Sequence, residues 1–216
     1  MTVLFDNYRL VKSSRTNFLT GSLPDWLIDG SRGGGSITAE SENGGRAVLS
    51  SGTQSTGDEA KLETNDLDPG PFDGMYMRSV VRHGGAVSNP RASSDICGWR
   101  GPNGDNNILH RVYVTNLSEQ RNTITIERNG STTLAGTRAW TDDLHTLESE
   151  LLWDTTDGRI LHRFQDAFAQ EVTSVQPDLS SNFFRGKINV LTNDTEVDRV
   201  MYVYEVEIGY VDKLDG

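Results

Sequence analysis

The chain has 216 residues and a formal net charge of -11, with 31 Asp and Glu against 20 Lys and Arg. Only four of the basic residues are lysines (Lys12, Lys61, Lys187 and Lys213), which leaves 16 arginines. The acidic balance works against binding along a nucleic-acid backbone, no apolar run reaches membrane-spanning length, and the single cysteine, Cys97, rules out an intramolecular disulfide and cysteine-rich zinc modules.

Acidity combined with lysine poverty is what a surface working in brine requires. At molar salt the screening length falls to about 3 Å, so clustered carboxylates no longer repel one another. A GC-rich genome would also favour arginine, and it is the competing explanation. The length suits one all-β domain with a core of its own. The opening MTVLFDNYRLVKSS lacks the charged-then-apolar order of a signal peptide. We therefore expect cytoplasmic synthesis without processing.

Residues 1–20 combine Val3, Leu4, Phe5, Tyr8, Leu10, Val11 and Phe18 with Arg9, Lys12 and Arg15. Two roles stay open for them: a segment that docks on a neighbouring subunit, or a first strand that pairs with the last. Residues 21–216 read as a single sandwich domain. Pro24 to Ile28 and the turn after Pro177 are the two places where a helical turn is expected, because proline suits a first helical position. Elsewhere short alternating runs separated by Gly, Asn, Asp and Ser predict antiparallel strands at 35–40, 45–51, 58–64, 73–83, 94–100, 107–115, 121–128, 132–137, 145–154, 159–164, 168–175, 184–192 and 199–210. Asn129-Gly130 and Asp157-Gly158 read as hairpin turns, since Asn, Asp and Gly tolerate positive φ.

So many strands cannot stay in one open sheet, so two packed sheets are expected. Alternation assigns faces within the strands. Ile108, His110, Val112 and Val114 point one way, and Leu109, Arg111, Tyr113 and Thr115 the other. Leu147, Leu151 and Trp153 oppose Glu148, Glu150 and Asp154. In the last strand Tyr202, Tyr204, Val206 and Ile208 are expected opposite Glu205 and Glu207. The predicted class is all-β: a two-sheet antiparallel β-sandwich.

The order GSITAE, GRAVLSS, GDEAKLET, DGMYMRSVVRH, CGWRG, HRVYV, HTLESELLWD and VMYVYEVEIGYV, over roughly residues 20 to 211, resembles the concanavalin A-like jelly-roll superfamily. That superfamily holds legume lectins, laminin G domains, glucanases and viral surface modules. The resemblance implies a curved sandwich whose concave sheet often receives sugars. Its retaining glucanases carry Glu-x-Asp-x-Glu on a central strand, whereas this chain reads Glu148-x-Glu150-x-Leu152. The third carboxylate position is a leucine. The competing reading makes Glu148 and Glu150 solvated residues paired with Arg111 or Arg128. The Arg-x-Glu-x-Arg strand and Gln-x-His pair of the superfamily's lyases are absent, His110 and His145 stand in other contexts, and no serine occupies a nucleophile elbow. No enzymatic activity is expected.

Asp105, Asn106 and Asn107 in GPNGDNN could offer oxygen ligands to calcium, but Gly, Asn and Asp favour turns on their own account, and no cofactor is expected. Aromatic rings stack on sugars and polar groups fix hydroxyls, so Trp99, Arg111, Tyr113, Glu148 and Glu150 form the candidate carbohydrate-binding set. These observations lead us to expect a non-enzymatic structural module: a virion decoration, turret or fibre-head protein of a halophilic archaeal virus. Such a module would be assembled in the host cytoplasm and displayed on the virion surface. Its expected partners are further copies of itself, other virion proteins and host-surface glycan, without nucleic acid or membrane insertion. A free lectin, or a degenerate glycosidase using Glu148 and Glu150, is the alternative.

Overall fold

The computed structural model describes residues 5–53, 55–84, 93–116, 119–140, 146–165, 168–173, 175–179, 183–191 and 198–214; within these ranges the side chains of 93, 113–116, 119–122, 134–140 and 168–169 are not described. Among the described residues fifteen strands follow one another: β1 Tyr8–Thr16, β2 Leu27–Asp29, β3 Ser36–Glu40, β4 Arg46–Ser50, β5 Glu59–Thr64, β6 Gly74–His83, β7 Ser93–Arg100, β8 Asn107–Asn116, β9 Glu119–Arg128, β10 Ser131–Trp140, β11 Leu147–Asp154, β12 Arg159–Phe164, β13 Phe168–Val172, β14 Arg185–Leu191 and β15 Val200–Lys213. All thirteen predicted strands are present. Among the described residues no helix is long and apolar enough to cross a membrane.

The strands form two antiparallel sheets. The first runs β13-β12-β11-β6-β15-β4-β3 with β1 also paired to β15, and the second runs β10-β9-β8-β7-β14-β5-β2. In β1, Tyr8 lies opposite Lys213 and Thr16 opposite Val206. Inward residues of both sheets meet in one apolar core that includes Leu49, Leu62, Met75, Met77, Trp99, Ile108, Ile126, Leu151, Trp153, Phe184 and Ile208. Trp153 meets Phe184 edge-on at 4.9 Å between ring centroids, a favoured aromatic geometry.

Turn chemistry explains the two hairpins. Asn129 (φ 49) and Gly130 (φ 77) join β9 to β10, with Arg128 opposite Ser131. Between β11 and β12, Gly158 supplies positive φ while Asp154 Oδ1 accepts hydrogen bonds from the Thr156 and Asp157 amides, both at 2.9 Å.

Two local expectations are corrected, and a third lies partly outside the described residues. The segment after Pro24 makes one turn, with Leu27 N donating to Pro24 O at 2.9 Å, and then becomes strand β2 on the edge of β5. There its backbone finds partners that a helical turn would have lacked. The turn expected after Pro177 lies partly outside the described residues, which stop at Leu179 and resume at Phe183; the Asp178 amide donates to Asn106 Oδ1 at 2.9 Å. In β15 a bulge between Val203 and Glu205 shifts the alternation by one residue. Met201 and Val203 are therefore buried ahead of it and Val206 and Ile208 after it, while Tyr202 and Tyr204 point outward.

Candidate functional site

The outer face of the second sheet carries an unbroken polar strip because four adjacent strands alternate in phase. On β5, Ala60 and Leu62 point into the core while Glu59, Lys61 and Glu63 point out. On β14, Ile188 and Val190 are inward and Arg185, Lys187 and Asn189 outward. Pairing aligns them, with Lys187 opposite Glu63 and Asn189 opposite both Lys61 and Asp95. Asp95 in turn faces Arg111 on β8. A bulge between Asp95 and Cys97 lets β7 bury Ile96, Cys97 and Trp99 while Asp95 still faces outward.

Asp95 is the centre of the strip. Its carboxylate accepts from Arg111 Nε at 2.7 Å and from Lys187 Nζ at 2.9 Å, and its amide donates to Asn189 Oδ1 at 2.8 Å. Lys187 Nζ also lies 3.7 Å from Glu59 Oε1, Asn189 Nδ2 donates to Glu59, and Arg32 Nε sits 3.0 Å from Glu59 Oε2. Burial alone would raise the Asp95 pKa, but Lys187 and Arg111 overcome it and hold the group at about 2. It is thus a permanent anion and acceptor, unable to lend a proton near neutrality.

Toward the end of the strip, a recess of about 300 Å³ is lined by Lys61, Glu63, Arg100, Gly101, Pro102, Phe183 and Arg185. Lys61 Nζ pairs with Glu63 at 3.0 Å, whereas the Arg100 and Arg185 guanidinium groups approach Glu63 only to 4.0 and 3.9 Å. Arg185 Nε binds Asp66 at 2.6 Å. A half-buried aromatic ring beside charged donors can hold a small polar ligand.

The residues predicted to share a sugar site are dispersed. Trp99 is fully buried in the core. Among those whose side chains are described, only Arg111 lies on the polar strip. The Tyr113 backbone belongs to β8, opposite Ser93 and Arg121, and its side chain is outside the described residues. Glu148 and Glu150 lie on the outer face of the first sheet, on the opposite side of the sandwich from the strip. There Arg78 Nε reaches Glu148 at 2.7 Å and Glu150 at 3.5 Å, Arg163 pairs with Glu150, and Arg78 also pairs with Glu205. Their partners are Arg78 and Arg163 rather than Arg111 or Arg128, because β6 and β12 flank β11.

The loop considered for calcium uses its groups internally. Asn106 Oδ1 accepts from the Asn129 amide at 3.2 Å and the Asp178 amide at 2.9 Å. Asn107 Nδ2 donates to Gly104 O at 2.7 Å and to Glu127, and Asp105 is exposed. Among the described residues no group of three or more His, Cys, Asp or Glu could hold a metal ion.

Neither family models nor curated protein sequences match this chain. Solved structures do. The potassium-bound carbohydrate recognition domain of Emp46p is 13% identical with a TM-score of 0.64, covering 93% of this chain and 96% of its own. The CBM2 module of the evolved Dit of Lactobacillus casei BL23 phage J-1 is 8% identical with a TM-score of 0.67, covering 95% and 98%. A family 7 alginate lyase, A1-II′, is 12% identical with a TM-score of 0.59, covering 82% and 83%.

The fold is the concanavalin A-like jelly roll. At these identities the likeness is one of architecture, and function must be argued from the site.

Eight residues of the strip on this jelly roll escaped the sequence reading: Glu59, Lys61, Glu63, Asp95, Arg100, Arg185, Lys187 and Asn189. A signal was there. EAKLE and RGKIN each place charged or amide side chains at alternate positions opposite apolar ones, and each contains one of only four lysines. That β5 and β14 are neighbours is what the sequence leaves hidden, since 120 or more residues separate their paired positions.

Proposed function

We propose that this chain is a non-enzymatic, lectin-like module that binds glycan on the outer face of its second sheet, as a structural protein of a virion surface. The observation that carries the binding reading is the preorganised strip from Arg111 through Asp95, Lys187 and Asn189 to the Phe183 recess. Its donors and acceptors are held by one another before any ligand arrives, which lowers the ordering cost of binding. The carbohydrate recognition domain of Emp46p shares the fold, which supports the same reading. A binding role without hydrolysis is supported by the ion pairs. Asp95 stays ionised, and Glu148 and Glu150 are engaged by Arg78 and Arg163, so the acid and nucleophile that glycoside hydrolysis requires are not free.

The virion assignment rests on the acidic, cysteine-poor, lysine-poor composition together with the shared fold of a phage Dit module. On this reading the protein works in brine as a homo-oligomer among other virion proteins of an archaeal virus, meeting host-surface glycan.

The test is incubation of the purified protein in molar salt with a panel of surface glycans, scoring retention and newly released reducing ends together. Retention that is lost in Arg111→Ala and kept in Glu148→Ala, without new reducing ends, is the expected result. Cleavage would overturn the non-enzymatic reading, and the absence of retention the lectin reading. Peptide mass spectrometry of particles purified from a producing culture tests the virion assignment, which fails if the chain stays in the soluble fraction.

A further inference from the structure

The ligand of this face can be narrowed by charge. The chain as a whole is at -11, yet the recess beside Phe183 gathers Lys61, Arg100 and Arg185 around one lining carboxylate, Glu63. Glu63 is already matched by Lys61 at 3.0 Å. Arg100 and Arg185 stand directly opposite each other on β7 and β14. Like charges in that position destabilise a sheet. The acidic group near both is Glu63, at 4.0 and 3.9 Å, the outer edge of ion-pair range. Asp66 takes the Arg185 Nε and leaves the other nitrogens of that fork.

Both arginine side chains are more than a third exposed, at 36% and 42%, while Lys61 and Glu63 beneath them are at 12% and 9%. The recess therefore has an anionic floor already neutralised and two guanidinium donors at its mouth. An oxyanion between two guanidinium groups would relieve their repulsion and accept charge-assisted hydrogen bonds from both. Phe183 supplies an apolar surface on which the face of a sugar ring can rest.

We propose that this recess binds an anionic saccharide, with the acidic group of the sugar held by Arg100 and Arg185 and its ring against Phe183. The proposal rests on the glycan-binding reading and goes further by assigning the charge class of the ligand. The acidic group is the carboxylate of a uronate or a sulfate ester, which share the oxyanion chemistry.

Calorimetric titration in 0.5 M and 3 M NaCl tests it, with oligogalacturonate, a sulfated galactan oligosaccharide and a neutral galactan oligosaccharide of similar length as probes. Either acidic probe should bind at least about tenfold more tightly than the neutral one, the worth of one charge-assisted hydrogen bond. Comparison of the two acidic probes identifies which oxyanion is preferred. Arg100→Gln with Arg185→Gln should abolish the preference, while Arg9→Gln with Arg82→Gln, the same loss of two charges at exposed positions of β1 and β6 on the other sheet, should preserve it. Arg100→Lys with Arg185→Lys keeps the charge without the planar fork and should retain only part of it. Equal binding of acidic and neutral probes would overturn the anionic assignment and leave the lectin reading intact. Failure of all three probes here, together with failure of the wider glycan panel, would remove both.

Discussion

His110 Nδ1 lies 2.7 Å from the Ser149 hydroxyl, joining β8 of the second sheet to β11 of the first through the middle of the core. His162 Nε2 sits 3.3 Å from the same His110 nitrogen, and both rings are buried, His110 against Phe164 at 4.8 Å. Burial, with His110 adding to it, depresses the His162 pKa well below its ordinary value. The neighbouring Cys97 thiol is pushed up by burial to about 12 and stays neutral.

Stability should therefore fall as pH drops below about 6.5. In that range the unfolded chain takes a proton on His162 that the folded chain refuses, so stability rises with pH at up to about 1.4 kcal/mol per unit. Asp95 acts lower down. With its folded pKa at about 2, its contribution is present above the ordinary carboxylate range and is lost as pH falls through that range toward 2. Urea midpoints from pH 8 to 3 check both, and His162→Phe should flatten the upper slope alone. A flat profile between pH 6.5 and 4.5 would contradict the buried neutral histidine.

Lys187 neutralises two buried carboxylates at once. Lys187→Met should cost about 3–5 kcal/mol, the usual penalty for leaving a buried charge without its partner. Adding Asp95→Asn should return part of that loss, because the stranded anion is gone. Denaturant titration of the two single variants and the double variant measures the coupling. Simple additivity would mean that the pair is not coupled as the geometry requires.

Glu148 and Glu150 are adjacent outward positions on β11 and should behave differently. Glu148 is 38% exposed and Glu150 only 6%. Glu148→Ala should change stability by less than about 1 kcal/mol. Glu150→Ala removes a buried carboxylate paired with both Arg163 and Arg78 and should cost about 3 kcal/mol. Neither should alter glycan retention. Selective loss of a glycan signal in Glu148→Ala would move the site to the first sheet.

The charge composition leads to a salt prediction. The melting midpoint should rise between 0.1 and 2 M NaCl as repulsion among carboxylates is screened, over lengths that shrink from about 10 Å to a few Å. Ion pairs such as Arg15 with Glu205, at 2.7 Å and with Arg15 mostly exposed, will weaken over the same range. A midpoint that falls throughout would remove the brine reading.

Strand alternation in this chain is a local property, and so the strands themselves, the hairpin at Asn129-Gly130 and the inward side of β11 could be read residue by residue. Where a bulge inserts one residue, as in β15, the phase slips and the reading of Tyr202 and Tyr204 inverted. Trp99 is expected at the surface as a ring for stacking on sugar, but β7, with its bulge beside Ile96, turns Ile96, Cys97 and Trp99 toward the core. A short edge strand such as β2 has too few residues for a period to emerge beside Pro24.

The all-β class, the two-sided strands and the acidic, lysine-poor balance follow from neighbouring residues or from composition. That Glu148 and Arg111 belong to opposite faces, and that Asp95, Lys187 and Glu59 meet, emerges from the folded sandwich alone. Those facts depend on which strands pair, a choice made by the whole core when it closes. In β14 one strand must find β5 and β7, whose paired residues precede it by about 90 to 130 positions. No local pattern encodes a pairing over that distance, and the polar strip exists only once it has been made.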